Sequence, residues 1–362
     1  MNTTPWKRLL AQSIHTADQL HNFFGDPVCE PEIAAVAGQY PLLINPYYLG
    51  LIKKAGDPLW RQAVPSGAEL MDAEGMDDPL AEEQFSPVCN ITHRYPDRVL
   101  FLVSNRCALY CRFCTRKRKI GKGFPVNEKT IAEGICYIKE QTKVRDVLVS
   151  GGDPLLLDDE ELADILHGLR AIEHVEIIRI GTRVPCVLPQ RITGKLARTI
   201  QRFHPVYINT HFNHPDEITP EAVRACGMLS DAGIPLGCQT VLLKGINDSS
   251  PVMRQLMNRL LRIRVRPYYI HHADLTRGTN HFRTSIKTGL DIMRALRGNT
   301  SGMCVPHYVI DLPGGGGKVP LTPQYIMGVR RQELVIKNYR GELFSYKISP
   351  EDVPVLSPKN LL

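Results

Sequence analysis

The chain has 362 residues, of which 43% are hydrophobic and 22% charged, a globular composition that excludes collagen-like, disordered and coiled-coil classes. Its net charge of +7 suits either a nucleic-acid partner or a pocket that collects anionic small molecules. The longest apolar runs are far shorter than the ~18 residues that span a bilayer, and no signal-peptide core follows the N-terminus. We therefore expect a cytoplasmic protein without a membrane partner.

Residues 1–95 are predicted to form an N-terminal helical region. The segment Trp6–Phe23 has the hydrophobic spacing of one amphipathic helix. Proline and glycine at 57–58, 65–67 and 77–79 indicate turns between the remaining segments.

From residue 98 onward, short apolar runs alternate with helical patterns, which favours a parallel α/β sheet. Six strand–helix units over about 175 residues are too few for an eight-fold barrel. A partial barrel or a doubly wound sheet is therefore expected over 96–312, with the active site at the carboxyl ends of the strands. The predicted strands are 98–103, 146–149, 175–180, 206–209, 238–243 and 266–271, and the predicted helices are 131–141, 159–169, 194–203, 220–232 and 251–263.

The last predicted segment, 313–362, begins with four glycines and a lysine after the apolar run Tyr308–Ile310. Within it, Glu333–Asn338 and Glu342–Lys347 flank Tyr339–Gly341 and are predicted to form a β-hairpin. We expect a short tail that contains β-structure.

Three cysteines lie within eight residues directly after the first strand, at Cys107, Cys111 and Cys114. A [4Fe–4S] cluster takes cysteine thiolates, and three of them leave one iron open for a ligand. A zinc site normally has four ligands in two pairs, and no second pair lies nearby. The basic run Arg116–Lys122 would alternatively fit an iron–sulfur protein that binds nucleic acid, although the run lacks the aromatic residues that stack on single strands.

The segment Pro313–Lys318 places a lysine after four glycines. It is not a phosphate-binding P-loop, because Leu312 and Val319 stand where that motif needs glycine and serine or threonine. A low-profile backbone beside a lysine suits a flat cofactor held covalently, for which pyridoxal 5′-phosphate (PLP) is a candidate. A flexible surface loop is the alternative.

The cysteine spacing after the first strand of a partial barrel resembles that of the radical S-adenosylmethionine (SAM) enzymes, and Ser150–Asp153 is similar to their motif for the methionine amino group. Together with the glycine-rich lysine, the chain resembles the lysine 2,3-aminomutase family from about residue 40 almost to its end. The resemblance implies an α/β radical SAM partial (βα)6 barrel. The segments that carry it are THRYPDRVL (92–100), CRFCTRKR (111–118), RDVLVSGGD (145–153), LPQRIT (188–193), NTHFNHPDEIT (209–219), RVRPYY (264–269), HFRT (281–284) and DLPGGGGK (311–318).

The resemblance implies three cofactors: a [4Fe–4S] cluster on the three cysteines, SAM, and PLP on the catalytic Lys318. The implied contacts to SAM are Phe113, Ser150, Gly151, Gly152, Asp153 and His211. The implied donors to the PLP phosphate are Arg94, Tyr95, Arg98 and Gln239.

The resemblance also implies how an amino acid substrate binds. Arg116 matches the arginine that binds the substrate carboxylate, and Asp274 and Asp311 match two aspartates that pair with the side-chain ammonium of free L-lysine. A buried pair of carboxylates demands a cation, so a glutamate enzyme would be expected to lack them, whereas arginine remains a close alternative. The implied reaction interconverts L-lysine and L-β-lysine through a 5′-deoxyadenosyl radical, in a homo-oligomer reduced by a donor such as flavodoxin or ferredoxin.

Two departures from the family are visible. No cysteine follows Cys304, so the intersubunit zinc site of the long-tailed lysine enzymes is not predicted. His271-His272-Ala273 replaces a tyrosine-containing segment, and these histidines either tune the pocket or simply fill the strand end. A short-tailed relative that makes β-lysine for elongation factor P is a further alternative, but it does not keep the tetraglycine.

Overall fold

In a computed structural model of the chain, which describes residues 4–25, 28–121 and 125–355, nine strands form one sheet in the order of the sequence. The strands β2 to β8 pair in parallel, and β1 and β9 lie antiparallel at the two edges. The strands are β1 (Ile91–Tyr95), β2 (Arg98–Ser104), β3 (Asp146–Gly151), β4 (Ile177–Gly181), β5 (Val206–His211), β6 (Leu236–Leu242), β7 (Val265–His272), β8 (His307–Leu312) and β9 (Gly317–Pro320). The predicted partial barrel is confirmed: its six strands are β2 to β7, and the run at 308–310 lies in β8, a seventh parallel strand.

The helices surround this sheet and precede it. Each of the five helices predicted between the strands is confirmed, whereas α12 was not predicted. In α11, Met253, Leu256, Met257 and Leu260 are buried at helical spacing, so one apolar face packs against the sheet. The helices are α1 (Pro5–Ala11), α2 (Ala17–Phe24), α3 (Glu30–Gln39), α4 (Pro46–Leu49), α5 (Pro58–Ala63), α6 (Glu128–Glu140), α7 (Asp159–Arg170), α8 (Val184–Val187), α9 (Gly194–Gln201), α10 (Pro220–Asp231), α11 (Ser250–Arg262), α12 (Ile286–Leu296) and α13 (Asp352–Val355).

The prediction of one helix over 6–23 is wrong, because α1 and α2 are separate helices. Thr16 caps α2: its Oγ1 accepts a hydrogen bond from the backbone N of Gln19 at 3.3 Å, and the Gln19 side chain accepts one from the backbone N of Thr16 at 3.2 Å. Between the helices, the backbone N of Ile14 donates to the carbonyl of Ile44 at 2.8 Å. A capping box and a long-range backbone pairing therefore override the helical spacing.

The C-terminal segment forms a second, three-stranded antiparallel sheet of β10 (Ile326–Arg330), β11 (Glu333–Lys337) and β12 (Leu343–Lys347). The predicted hairpin is confirmed by the pairing of β11 with β12. In the part of the chain that the structure describes, no helix combines the length and the apolar character that crossing a bilayer requires.

A buried ion pair attaches the loop that contains Cys107, Cys111 and Cys114, which we name the cysteine loop, to the N-terminal region. Arg112 Nε and Nη2 donate to the two carboxylate oxygens of Glu69 at 2.9 and 2.6 Å, and both residues are only 1% exposed. The remaining guanidinium contacts are to the carbonyls of Tyr40 and Pro41, while Lys117 Nζ lies 2.5 Å from Glu69. Burial alone would raise the pKa of Glu69, but the two cations outweigh it and lower the pKa.

We expect Glu69→Gln to destabilise the protein by about 3–5 kcal/mol, because it leaves two buried cations without a countercharge. Urea unfolding followed by circular dichroism measures the change. The matched control is Glu173→Gln, which alters an exposed carboxylate and is expected to change stability by less than about 0.5 kcal/mol. Equal stability of the two variants would show that this ion pair does not hold the loop.

Candidate active site

A cavity of about 700 Å³ lies at the carboxyl ends of the parallel strands. It brings together every residue that the sequence predicts for the site, from the three cofactor groups and the substrate group. These residues are Arg94, Tyr95, Arg98, Cys107, Cys111, Phe113, Cys114, Arg116, Ser150, Gly151, Gly152, Asp153, His211, Gln239, Asp274, Asp311 and Lys318. The carboxyl-edge rule accounts for the residues that follow the parallel strands. Arg94, Tyr95 and Lys318 instead lie on the antiparallel edge strands β1 and β9, and Arg98 begins β2.

The three cysteines form one wall of the cavity. Arg183 Nη1 donates to Cys111 Sγ at 2.7 Å. Burial raises the pKa of Cys114 to about 11 and that of Cys107 well above its ordinary value, so these thiols ionise only beside a positive centre. Among the described residues, no three His, Cys, Asp or Glu side chains converge on a single ion. The thiolates of a cubane bind different irons, so this donor set fits a cluster.

The glycines after β3 allow its loop to lie directly on the backbone that precedes Cys107. A Cβ on Gly151, whose φ is +132°, would lie 2.2 Å from the carbonyl oxygen of Ser104. A Cβ on Gly152 would lie 2.3 Å from the carbonyl oxygen of Arg106. Side chains larger than hydrogen are therefore excluded here, and exposed backbone is left for a ligand.

Asp153 lies at the predicted place, but its carboxylate is already engaged by the protein. Oδ1 accepts hydrogen bonds from Thr182 Oγ1 at 2.7 Å and from the backbone N of Leu155 at 3.1 Å. Oδ2 accepts from the backbone N of Arg183 at 2.7 Å and of Val184 at 3.2 Å. Burial raises the pKa of Asp153 to about 6. The carboxylate thus fixes the loop after β3 to the loop after β4.

Lys318 lies on β9, at the edge of the sheet opposite β1. Its backbone N donates to Tyr95 Oη at 3.0 Å, and the guanidinium of Arg98 lies 4.3 Å from the Tyr95 ring centroid. Arg94 Nε is buried and has no hydrogen-bond partner among the described residues. The other end of this guanidinium donates to the carbonyl of Leu80. A buried Nε without a partner, beside a tyrosine hydroxyl and a second arginine, suits an anionic group such as a phosphate.

Two aspartates lie beside this lysine with opposite pKa shifts. Burial alone would raise the pKa of Asp311, but a hydrogen bond from His271 and the ion pair with Lys318 outweigh it and give a value of about 2. Lys318 Nζ lies 3.0 and 2.9 Å from the Asp311 oxygens. Burial, followed by the charge of Asp311, raises the pKa of Asp274 to about 7. The pair therefore favours an added cation.

The two histidines at the end of β7 have different surroundings. His272 Nδ1 lies 2.9 Å from the Tyr308 hydroxyl. His271 Nδ1 lies 3.5 Å from Asp311, and its Nε2 is buried without a partner in the described ranges. Burial lowers the pKa of His271, which favours the neutral ring. Both histidines line the cavity, and His271 is the one that lies beside Asp311.

The basic run after the cysteines is largely neutralised. Arg116 pairs with Glu82 at 2.9 Å, Arg118 with Asp78 at 2.9 Å, and Lys119 with Glu83 at 3.5 Å. Lys117 pairs with Glu69, and Lys122 lies outside the described residues. The free positive surface that binding to nucleic acid requires is therefore reduced.

Comparison with known proteins agrees with this geometry. The family model for lysine-2,3-aminomutase matches residues 293–358, and that for the radical SAM superfamily matches residues 101–256. The L-lysine 2,3-aminomutase of Methanococcus maripaludis is 50% identical over 97% of this chain and 83% of its own length. The L-lysine 2,3-aminomutase of Clostridium subterminale is 47% identical over 94% of this chain and 83% of its own. The chain belongs to the lysine 2,3-aminomutase family.

Family membership alone does not decide the substrate. A glutamate 2,3-aminomutase from Clostridioides difficile is 46% identical over 91% of this chain and 78% of its own length. Among solved structures, a radical SAM methyltransferase from Sphaerobacter thermophilus is 18% identical with a TM-score of 0.43, over 60% of this chain and 68% of that one. That likeness is weak, and the substrate has to be judged from the charges in the cavity.

Two residues of this lysine 2,3-aminomutase family member were missed by the sequence reasoning. Arg183 follows β4 and donates to Cys111, to Glu217 at 2.8 Å and to Gln62 at 2.6 Å; its position at a strand end was an available signal. Glu82 lies in a segment without periodicity, and nothing in the sequence marks it as the partner of Arg116. The remaining predicted contact, His211, lies 5.5 Å from Phe113 between ring centroids and bonds to Asn213.

We expect Asp274→Asn to stabilise the ligand-free protein at alkaline pH. Folding raises the pKa of Asp274 to about 7, so the contribution of this carboxyl to the free energy of unfolding falls as the pH rises from about 4 to 7 and stays low above that. The asparagine variant lacks this titration, and its gain over the parent is expected to be about 2–4 kcal/mol larger at pH 8 than at pH 4.

Urea unfolding at the two pH values measures this difference. Asp164→Asn, which changes an exposed carboxylate, is the control and is expected to differ from the parent equally at both. A pH-independent effect of Asp274→Asn would contradict the shifted carboxylate.

Proposed function

We propose that this chain is an L-lysine 2,3-aminomutase that interconverts L-lysine and L-β-lysine. The observation that carries the proposal is the pair Asp274 and Asp311, two carboxylates in the cavity that also contains the three cysteines and Lys318. The Asp311 carboxylate already binds the ammonium group of Lys318. This contact has the chemistry that the side-chain ammonium of bound lysine would need.

The cavity residues fit three cofactors. We assign the cluster to Cys107, Cys111 and Cys114, PLP to Lys318, and SAM to the backbone near Gly151 and Gly152. When bound, SAM on the reduced cluster supplies a 5′-deoxyadenosyl radical, and PLP supplies a conjugated ring that delocalises an unpaired electron. The proposed phosphate donors are Arg94, Tyr95, Arg98 and Gln239, and the further residues near SAM are Phe113, Ser150, Asp153 and His211.

The chain's own residues orient the substrate from both ends. Arg116 binds the carboxylate through its planar guanidinium, while Asp274 and Asp311 bind the side-chain ammonium. Two charged anchors fix the carbon chain between them, so that the hydrogen at C3 and the amine at C2 are presented in one orientation. The amine moves from C2 to C3, and the hydrogen removed at C3 returns at C2. An external one-electron donor, such as flavodoxin or ferredoxin, reduces the cluster.

The charge of the far pocket separates the candidate substrates. A glutamate side chain would bring a third carboxylate beside Asp274 and Asp311, and like charges at this range repel. An arginine side chain satisfies the same charge requirement as lysine. Arginine is therefore the second candidate, and the assay has to include it.

The test is an anaerobic turnover assay on protein with reconstituted cluster, PLP and SAM, reduced with dithionite and offered L-lysine, L-arginine or L-glutamate. We expect β-lysine from L-lysine and no product from the other two. Asp311→Asn is expected to raise the KM for lysine about 30-fold, because it removes one charge-assisted contact worth about 2 kcal/mol. Asp164→Asn, outside the cavity, is the control.

Turnover of another amino acid, with none of lysine, would leave the radical chemistry in place and overturn the substrate. An unchanged KM in Asp311→Asn would move the ammonium site elsewhere. Lys318→Ala is expected to abolish turnover.

A further inference from the structure

The segment 78–86, which we name the acidic hook, contacts two sides of the cavity. One side is the glycine-rich segment before Lys318, and the other is the basic run after the cysteines. On the side of the segment Pro313–Lys318, which we name the lysine loop, the backbone N of Gly314 donates to the carbonyl of Pro79 at 3.0 Å. A Cβ on Gly315 would lie 2.2 Å from the Phe85 ring, so that glycine packs directly on the hook. The guanidinium of Arg94 donates to the carbonyl of Leu80. The hook is thus fixed against the strand and the loop proposed to hold PLP.

On the other side, the carboxylates of the hook bind the run after the cysteines. Glu82 Oε1 accepts from Arg116 Nε at 2.9 Å, and Glu82 Oε2 lies 3.4 Å from Arg118 Nη2. Glu83 Oε1 accepts from Arg118 Nε at 3.0 Å. The Glu82 side chain is 5% exposed and that of Glu83 is 61% exposed. The buried carboxylate therefore bonds to the cavity arginine, whereas the exposed one does not.

We propose that Glu82 is a positioning residue, which orients Arg116 for the carboxylate of the substrate. This inference rests on the proposed function, because it takes Arg116 as the carboxylate-binding group. Glu82 holds the Nε of Arg116, and that bond fixes the plane of the guanidinium. Neither Nη group of Arg116 has a hydrogen-bond partner among the residues that the structure describes, so both remain for an incoming carboxylate, which binds end-on through two parallel hydrogen bonds.

Because Glu82 is buried, its bond to Arg116 can hold the guanidinium in one orientation. An exposed ion pair is weakened by water and by side-chain motion, but a carboxylate with little exposure holds its partner in one geometry. Pre-orienting the arginine lowers the entropy that substrate binding must remove. Because the hook is also fixed to Gly314, Gly315 and Arg94, the distance between the carboxylate site and the lysine loop is set by one short segment.

The test separates orientation from plain structural support. Glu82→Gln keeps the shape of the side chain and removes its charge, and Glu83→Gln makes the same change one residue further along, at a side chain that does not bond to Arg116. Each protein is loaded with cluster, PLP and SAM without reductant, so that no turnover occurs. Calorimetry gives the Kd for L-lysine and for lysinamide, in which an uncharged amide replaces the carboxylate.

We expect the parent to bind L-lysine more tightly than lysinamide. Glu82→Gln is expected to weaken binding of L-lysine about tenfold, as for a lost charge-assisted contact, and to leave lysinamide within about twofold. Glu83→Gln is expected to bind both ligands like the parent. Glu82→Asp keeps the charge but shortens the reach, and the same selective loss for L-lysine is expected in that variant.

Two outcomes contradict the inference, and one contradicts its basis. Equal losses for L-lysine and lysinamide in Glu82→Gln would show a structural role only. An unchanged Kd for L-lysine in both Glu82 variants would show that Arg116 is oriented by other contacts. Equal affinity of the parent for the two ligands would instead overturn the assignment of Arg116 in the proposed function.

Discussion

The buried ion pair between Arg112 and Glu69 determines where the cysteine loop lies, and the cavity is arranged around that loop. Arg112 stands between the second and third cysteines, so its bidentate contact fixes their backbone. Desolvating two charges is unfavourable unless every donor and acceptor is matched, and here the remaining donors reach backbone carbonyls of the N-terminal region. Asn45 adds hydrogen bonds to the carbonyls of Ala108 and Val187. The N-terminal region therefore covers the loop, and its residues Tyr40, Pro41, Leu80 and Glu82 line the cavity.

At the opposite end of the cavity, two neighbouring carboxylates lower the stability of the ligand-free protein and favour a substrate with a cationic group. Asp274 and Asp311 are both shielded from water, and the charge of each makes that of the other less favourable. The ligand-free protein relieves this strain in part by pairing Asp311 with Lys318. Residues with opposed pKa shifts in one cleft are typical of functional sites. A cationic group of the substrate therefore binds most favourably beside these two carboxylates, where the ligand-free protein leaves negative charge incompletely neutralised.

The sequence predicted the regular part of the fold well, because short apolar runs separated by turn residues are a local signal that parallel strands share. It also identified the cavity residues that follow strands, since topology alone brings those ends together. It did not predict the break between α1 and α2, where the Ile14–Ile44 pairing crosses thirty residues. It missed Arg183, although that residue follows a strand. It also missed Glu69 and Glu82, which lie in segments without periodicity and have their roles only through cations within and after the cysteine run. For Asp153, the position was predicted, but its four donors are visible only in three dimensions.

The placement of Lys318 on β9 keeps the lysine apart from the strands that support the cysteine loop. In the described part of the chain, β9 pairs with β8 alone, and one hydrogen bond to Tyr95 connects it to the opposite edge of the sheet. The pairing of the parallel strands β2 to β7 does not involve β9. The cysteine loop follows β2, so its support does not depend on β9. Exchange of the segment with the lysine would therefore leave the pairing of the parallel strands intact and would remove the contacts of Gly314 and Gly315 with the acidic hook.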